Sequence, residues 1–247
     1  MAYTSWRGIC GLIKPTHRPG SLEELVLMLP EGIGVIPTLL DIETGTKKEF
    51  TEAAAKYEPA VVELADQGVD VIHPGGSPPF MLMGYKAEQA LVRKWEKRYK
   101  VQFFTPGMNH ARAMTAMKCR RLINIAYTTW DDSAIVAGYY KNYGIELVSR
   151  EVFPVPFQKV QELSSKEVYA FIKKVFLKHH KQRKLDGIYI QGGAWHTESI
   201  VDLLEQDLQV PVVHANIAPA WEIMKRLNVR APREGFGRLL RELPEMK

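Results

Sequence analysis

Apolar residues come in short runs that stop at polar or glycine-rich corners, and two of these runs share one ending. Ile188, Tyr189 and Ile190 follow Asp186-Gly187 and are closed by Gln191-Gly192-Gly193. Val71 and Ile72 follow Asp70, run into His73-Pro74 and are closed by Gly75-Gly76-Ser77. A short apolar run without alternation is the pattern of a strand buried on both faces of a parallel sheet. A glycine pair at its end lets the chain turn tightly and lets a ligand approach main-chain N–H groups. A helical segment follows each corner, then another strand with a polar end. These ends are Thr105 to His110 in one half and His214-Ala215-Asn216 in the other. Each half also begins with a basic residue and an apolar strand. Arg7 precedes Gly8 to Ile13, and Arg121 precedes Leu122 to Ala126, which end at Lys14-Pro15-Thr16 and Tyr127-Thr128-Thr129.

This repeat predicts an α/β fold of two pseudo-symmetric, Rossmann-like halves. Each holds a mostly parallel four-stranded sheet flanked by helices, with a ligand cleft between them, lined by strand ends. The boundaries are 1–118 for the first half and 119–219 for the second, with 220–247 packing back on the first. Local signals fill in the rest. Ser21 and Glu24 have capping-box spacing, and so do Ser164 and Glu167. Pro37 marks the strand from Gly32 to Leu40 as an edge or a bulge. Pro59 threatens a kink in the helix from Phe50 to Ala65. Asp131-Asp132 has the chemistry to cap the next helix. The run Ile200, Leu203, Leu204 after Gly192-Gly193 predicts a helix whose N-terminus would offer an anion site.

Composition narrows the class. The 247 residues carry a net charge of +5 and only two cysteines. Two cysteines exclude a disulfide framework, and no metal-ligand spacing accompanies them. The expectation is reduced thiols in the cytoplasm. The N-terminal apolar run is too short for a signal sequence, and no run has the length of a membrane span. The basic cluster Lys178 to Lys184 reads as a solvated face, because no aromatic-studded groove accompanies it; no nucleic-acid or membrane partner is expected. A mildly cationic surface suits an anionic small substrate. A homo-oligomer is left open.

The glycine corners, the order of elements and the tail together resemble the aspartate/glutamate racemase superfamily, in its arylmalonate decarboxylase and maleate isomerase branch. Asp186 to Gly193 is similar to that family's strand ending in Cys-Gly-Gly, and Val210-Pro-Val-Val213 to its following strand. Gln67-Gly68 and Gly76-Ser77 resemble its first corner, and Arg121 to Asp132 the strand carrying its polar Thr/Tyr turn. Trp221 and Gly235-Phe-Gly-Arg238-Leu239 resemble its C-terminal signature. The resemblance implies chemistry without metal or cofactor. A carboxylate would sit on N–H groups and hydroxyls of Gly75, Gly76, Ser77, Tyr127, Thr128, Gly192 and Gly193, while cysteines move a proton at carbon. Here the cysteine positions hold Gln191 and Gly75 or Gly76, and neither Cys10 nor Cys119 falls on a strand end.

Another group must therefore act. His214 and His196 are the expected acid–base residues, with Gln191 contacting substrate. Asn109 and Asn216, equivalent in the two halves, are expected to orient a carboxylate or amide. His73 and His110 read as strand and helix residues, His17 as part of a lid loop, and Trp195 and Phe80 as packing. The expected function is a cofactor-independent enzyme of decarboxylase or isomerase type acting on a small carboxylate or carbonyl compound. Two alternatives keep the fold: a hydrolase or hydratase with a His-activated water on a cyclic or amide substrate, and a non-catalytic small-anion-binding protein.

Overall fold

The computed structural model describes residues 3–127 and 133–246. The first half runs β1 (Gly8–Lys14), α1 (Ser21–Met28), β2 (Ile33–Leu39), α2 (Lys47–Asp66), β3 (Val71–Pro74), α3 (Pro78–Met83), α4 (Tyr85–Tyr99), β4 (Gln102–Phe103) and α5 (Pro106–Ala116). The second runs β5 (Arg121–Ala126), α6 (Ser133–Lys141), β6 (Glu146–Val152), α7 (Ser165–Arg183), β7 (Gly187–Ile190), α8 (Val201–Leu208), β8 (Val212–His214) and α9 (Ile217–Arg226), followed by α10 (Arg238–Glu242). The sheets have equivalent orders, β2-β1-β3-β4 and β6-β5-β7-β8, with every pairing parallel. The chain is thus an α/β protein with two parallel four-stranded sheets, and all strands of a sheet end on one edge. Asp131-Asp132 and Thr128 lie outside the described residues. Among the described residues no helix is long and apolar enough to cross a membrane.

The local rules explain most elements. Ile188, Tyr189 and Ile190 are fully buried, as a central strand covered on both faces requires. Pro37 sits on the edge strand β2, where its missing N–H costs no ladder bond. Ser164 and Glu167 close the capping box that starts α7. Two expectations shift. Gly20, not Ser21, precedes α1, and Glu23, not Glu24, reaches back to the Gly20 N–H at 2.7 Å. Glu24 is thereby left for another partner. The helix α2 also runs through Pro59, because Phe50, Ala53, Tyr57, Ala60, Val61 and Leu64 bury one continuous face along it.

The halves exchange helices at the centre. The helix α5 packs against β8 of the second sheet, α9 packs against β3 of the first, and the two helices pack on each other. Glu222 on α9 is fully buried and accepts from Arg112 at 2.6 Å, Arg226 at 2.9 Å and Asn109 Nδ2 at 2.9 Å. Asn109 also donates to the Ala218 carbonyl at 3.0 Å. The tail touches both halves: α9 packs against α1 and Arg233 donates to the Leu27 carbonyl at 2.9 Å, while α10 packs against α9 and β8. Its Arg238 N–H is held by Glu205 at 2.7 Å, and Arg241 pairs with Asp202 at 2.9 Å.

Removing one member of a buried charge cluster leaves the others uncompensated, at a cost of about 3–5 kcal/mol. Glu222→Ala is expected to lose that much in urea or guanidinium unfolding. Arg98→Ala, which removes an exposed partner of Glu58, is expected to lose no more than ~1 kcal/mol.

Candidate active site

The carboxyl edges of the two sheets meet around one cavity of about 140 Å³. The first half contributes Lys14 at the end of β1, Pro15 and Thr16 after it, His73 near the end of β3, the corner Gly75-Gly76-Ser77, and Pro106 and His110 on α5. The second contributes Tyr127, the corner Gln191-Gly192-Gly193 with Ala194, and Ala215 and Asn216 after β8. Leu12, Leu25, Ile42, Phe50 and Phe157 line an apolar side, and Arg18 covers the rim. The volume is below the ~300–1,000 Å³ of drug-sized ligand sites, so the cavity suits a small acid.

The corners are shaped by close approach. A Cβ at Gly75 would stand 2.8 Å from Pro15 Cδ and 3.1 Å from the Ile13 carbonyl oxygen. At Gly192, with φ +98°, it would stand 2.3 Å from the Tyr127 ring. The halves touch across the cavity where Gln191 Nε2 donates to Ser77 Oγ at 3.5 Å. The backbone N–H groups of Gly76, Ser77, Gly192 and Gly193 have no hydrogen-bond partner among the described residues. Neither has Gln191 Oε1. Tyr127 accepts from the Ala194 N–H at 3.1 Å, and burial pushes its hydroxyl up to about 12. Lys14 Nζ is held by the Thr16 carbonyl at 2.6 Å and by that of Arg18, which curls the loop over the cavity.

One expected feature is missing. No helix starts at Gly192-Gly193: residues 191–197 are irregular, a single 3₁₀ turn at Glu198–Ile200 follows, and α8 begins only at Val201. In the first half, by contrast, α3 begins directly after Ser77.

Two expected acid–base residues also lie elsewhere. His214 is fully buried behind the wall, outside the cavity lining. Its Nδ1 accepts the Asn216 N–H at 3.1 Å, and Nε2 faces Thr197 Oγ1 at 2.8 Å, so both ring nitrogens are spent on the β8 corner. His196 points outward, pairs with Glu24 and rests against Gly20, where a Cβ would stand 2.6 Å from its Cε1. Asn109 is buried in the α5–α9 contact and does not reach the cavity. His17 pairs with Asp41 at the surface. Trp195 packs on Tyr127 from outside the cavity.

Two histidines that sequence placed in element interiors are on the wall instead. His73 is 6 % exposed and stacks on Phe104 at 5.0 Å. Its Nδ1 has no partner among the described residues. Burial, aided by His110, brings it down to about 3. His110 accepts from Tyr189 at Nδ1, 2.7 Å, and reaches the Ala215 carbonyl with Nε2, 3.3 Å. Their signal in the sequence was position: His73 sits near a strand's carboxyl end and His110 early in the helix that follows one, where parallel sheets bind ligands.

Beside the cavity, Asn216 Nδ2 donates to Glu24 Oε2 and Glu198 Oε1, both at 2.7 Å, and to the Gly193 carbonyl at 3.2 Å. Ligand-type atoms of Glu24, His196 and Glu198 lie within 4.8 Å of one another, the one such group among the described residues. In this arrangement a proton on Glu198 balances the two facing carboxyls.

The profile of the arylmalonate decarboxylase family matches residues 10–240. No curated protein matches the chain by direct sequence comparison. Among solved structures, the maleate isomerase Iso from Pseudomonas putida S16 superimposes with a TM-score of 0.85 at 16% identity, covering 96% of this chain and 99% of that one. An arylmalonate decarboxylase gives 0.80 at 18% identity, over 95% and 99%. The Nocardia farcinica maleate cis-trans isomerase bound to TRIS gives 0.85 at 18% identity, over 95% and 98%.

Burial, and then Glu24 beside it, push Glu198 up to about 9. The folded carboxyl thus keeps a proton that the unfolded chain releases near the ordinary value of about 4.3. Its contribution to stability is complete below that value and is lost as pH rises towards about 9. Glu198→Gln keeps the protonated shape and is expected to flatten this decline, read as urea midpoints between about pH 5 and about pH 9.

Proposed function

The chain belongs to the arylmalonate decarboxylase family, and from that premise we propose a cofactor-independent decarboxylase of small malonate-type acids whose proton carrier is not a thiol. One observation carries the reading: two glycine corners with unspent N–H donors face a single small cavity from opposite halves.

Comparison proteins suggest the ligand class. One arylmalonate decarboxylase variant was solved with a sulfate ion, and a Nocardia farcinica isomerase variant with a covalently bound succinylcysteine intermediate. The second kind of chemistry needs sulfur at the substrate. In this chain Cys10 and Cys119 are both buried, and burial pushes each thiol up to about 12. Neither lines the cavity. A cis–trans isomerisation needs a nucleophile that adds to the double bond and leaves again, and neither corner offers one. Decarboxylation needs only a receptor for the enediolate and a proton for carbon, so it is the better fit.

In this reading the retained carboxylate sits on the N–H groups of Gly76, Ser77, Gly192 and Gly193, with the hydroxyls of Ser77 and Tyr127 beside it. As carbon dioxide leaves, negative charge grows on that carboxylate, and each aligned donor is worth about 3 kcal/mol in the transition state. Gln191 fills the space of the missing thiol and holds Ser77 in place. The apolar side formed by Leu25, Ile42 and Phe50 takes the α-substituent.

The test is a panel of 2-substituted malonates in deuterium oxide. Carbon dioxide release with one deuterium at the α-carbon is the expected result. Calorimetric binding of these acids with neither product would replace the enzyme reading with that of an anion-binding protein.

A further inference from the structure

We propose that His73 is the catalytic proton carrier, taking the acid proton from the bound substrate and returning it to the α-carbon from the first half's wall. The inference rests on the decarboxylase reading and names the group which that reading leaves open.

The other titratable groups on the cavity wall are committed. Tyr127 holds the Ala194 N–H. Arg18 donates to the Phe157 and Glu43 carbonyls at 2.7 and 3.2 Å. Lys14 holds the Thr16 and Arg18 carbonyls. His110 is locked into one tautomer. The Ala215 carbonyl can only accept, so Nε2 carries the hydrogen and Nδ1 must accept from Tyr189. Tyr189 in turn accepts from Tyr140 at 2.9 Å. Protonating His110 at Nδ1 would require this buried chain to reverse.

His73 has no such commitment. Among the described residues its ring makes no hydrogen bond, the residue borders the cavity, and the stack on Phe104, nearly parallel at 16°, fixes the ring plane. The ring itself is neutral, because burial and the neighbouring His110 both disfavour a charge there. A bound carboxylate reverses that balance by pairing with the imidazolium.

The proton balance closes without a further reactant. A malonate-type acid enters as its monoanion. Its carboxyl proton passes to the His73 ring, leaving a dianion beside an imidazolium. The bond from the α-carbon to the leaving carboxylate breaks, carbon dioxide departs, and the electron pair becomes the enediolate of the remaining acid. The imidazolium then protonates the α-carbon, and the ring is neutral again. The enediolate carbon is far more basic than the imidazole ring, so the imidazolium gives its proton to carbon. On the second half's wall the Gln191 amide carries no transferable proton, so with His73 as the donor protonation comes from one face and a methylmalonate yields a single labelled enantiomer.

The experiment pairs His73→Gln with an NMR titration of the imidazoles in the full chain, with and without malonate. The variant is expected to lose at least about 100-fold in kcat, the scale of a removed general acid. Malonate affinity by calorimetry is expected to stay within a few fold, and added imidazole to restore part of the activity of His73→Ala. Malonate is also expected to raise the protonation midpoint of the His73 ring. Carbon dioxide release by His73→Gln within tenfold of wild type would overturn the proposal, as would a His73 ring indifferent to malonate. A wild type that binds malonates and raises the His73 midpoint, yet releases no carbon dioxide, would instead overturn the decarboxylase reading and leave His73 as the acceptor of the ligand's proton.

Discussion

The spacing between the two sheets is set by one buried carboxylate. Glu222 ties Arg112 and Asn109 on α5 to Arg226 on its own helix α9. These helices follow the last strand of each half and cross onto the opposite sheet. Each glycine corner therefore faces the other because α5 and α9 cannot slide. A fully buried carboxylate with two guanidinium groups and an amide is costly to assemble, but its geometry is specific in a way that apolar contact is not. A cavity that must hold a small anion between two corners depends on that specificity.

Packing within each half explains why the corners carry glycine. Pro15 leans on Gly75 and the Tyr127 ring on Gly192, so neither position has space for a side chain. What remains at each corner is main chain with unspent N–H groups. A thiol at Gly75 would have to displace Pro15, whose neighbour Lys14 holds the curled loop over the cavity. The absence of sulfur on that side is built into the packing, and under the proposed decarboxylation the proton for the α-carbon comes from a wall residue instead.

Much of this was legible in the chain. The duplicated apolar-run-then-glycine pattern revealed both sheets, their parallel sense and the corners, because burial on two faces leaves a direct mark on sequence. Gly75, Gly76, Ser77, Tyr127, Gln191, Gly192, Gly193 and Asn216 all line one cavity. The histidines were harder. His214 ends a strand of three residues, and a short run bounded by Pro211 gives no alternation from which to read the facing of the last side chain. Its ring turned to Thr197 and Asn216. His73 sits in a strand of four residues and turned to the cavity. Asn109 and Asn216 are equivalent in the duplication but diverged in use, since Glu222 claims one and the Glu24–Glu198 pair the other.

Charge at the site is kept scarce, and this decides how it recognises an anion. His73 and His110 are both neutral, pulled down by burial to about 3 and about 4. The two cations on the wall, Lys14 and Arg18, are occupied by backbone carbonyls. In the proposed reaction, attraction for an incoming carboxylate thus comes first from fixed N–H dipoles at short range, and a cation forms beside it only when His73 takes up the ligand's proton. Dipoles of this kind act at the corner and fade within a few ångströms, so they discriminate by shape and by where charge grows. A free cation would hold every anion about equally and would stabilise substrate as much as transition state. Neutral walls with aligned donors favour the state in which charge has moved onto the retained carboxylate, which is the requirement for acceleration and not merely for binding.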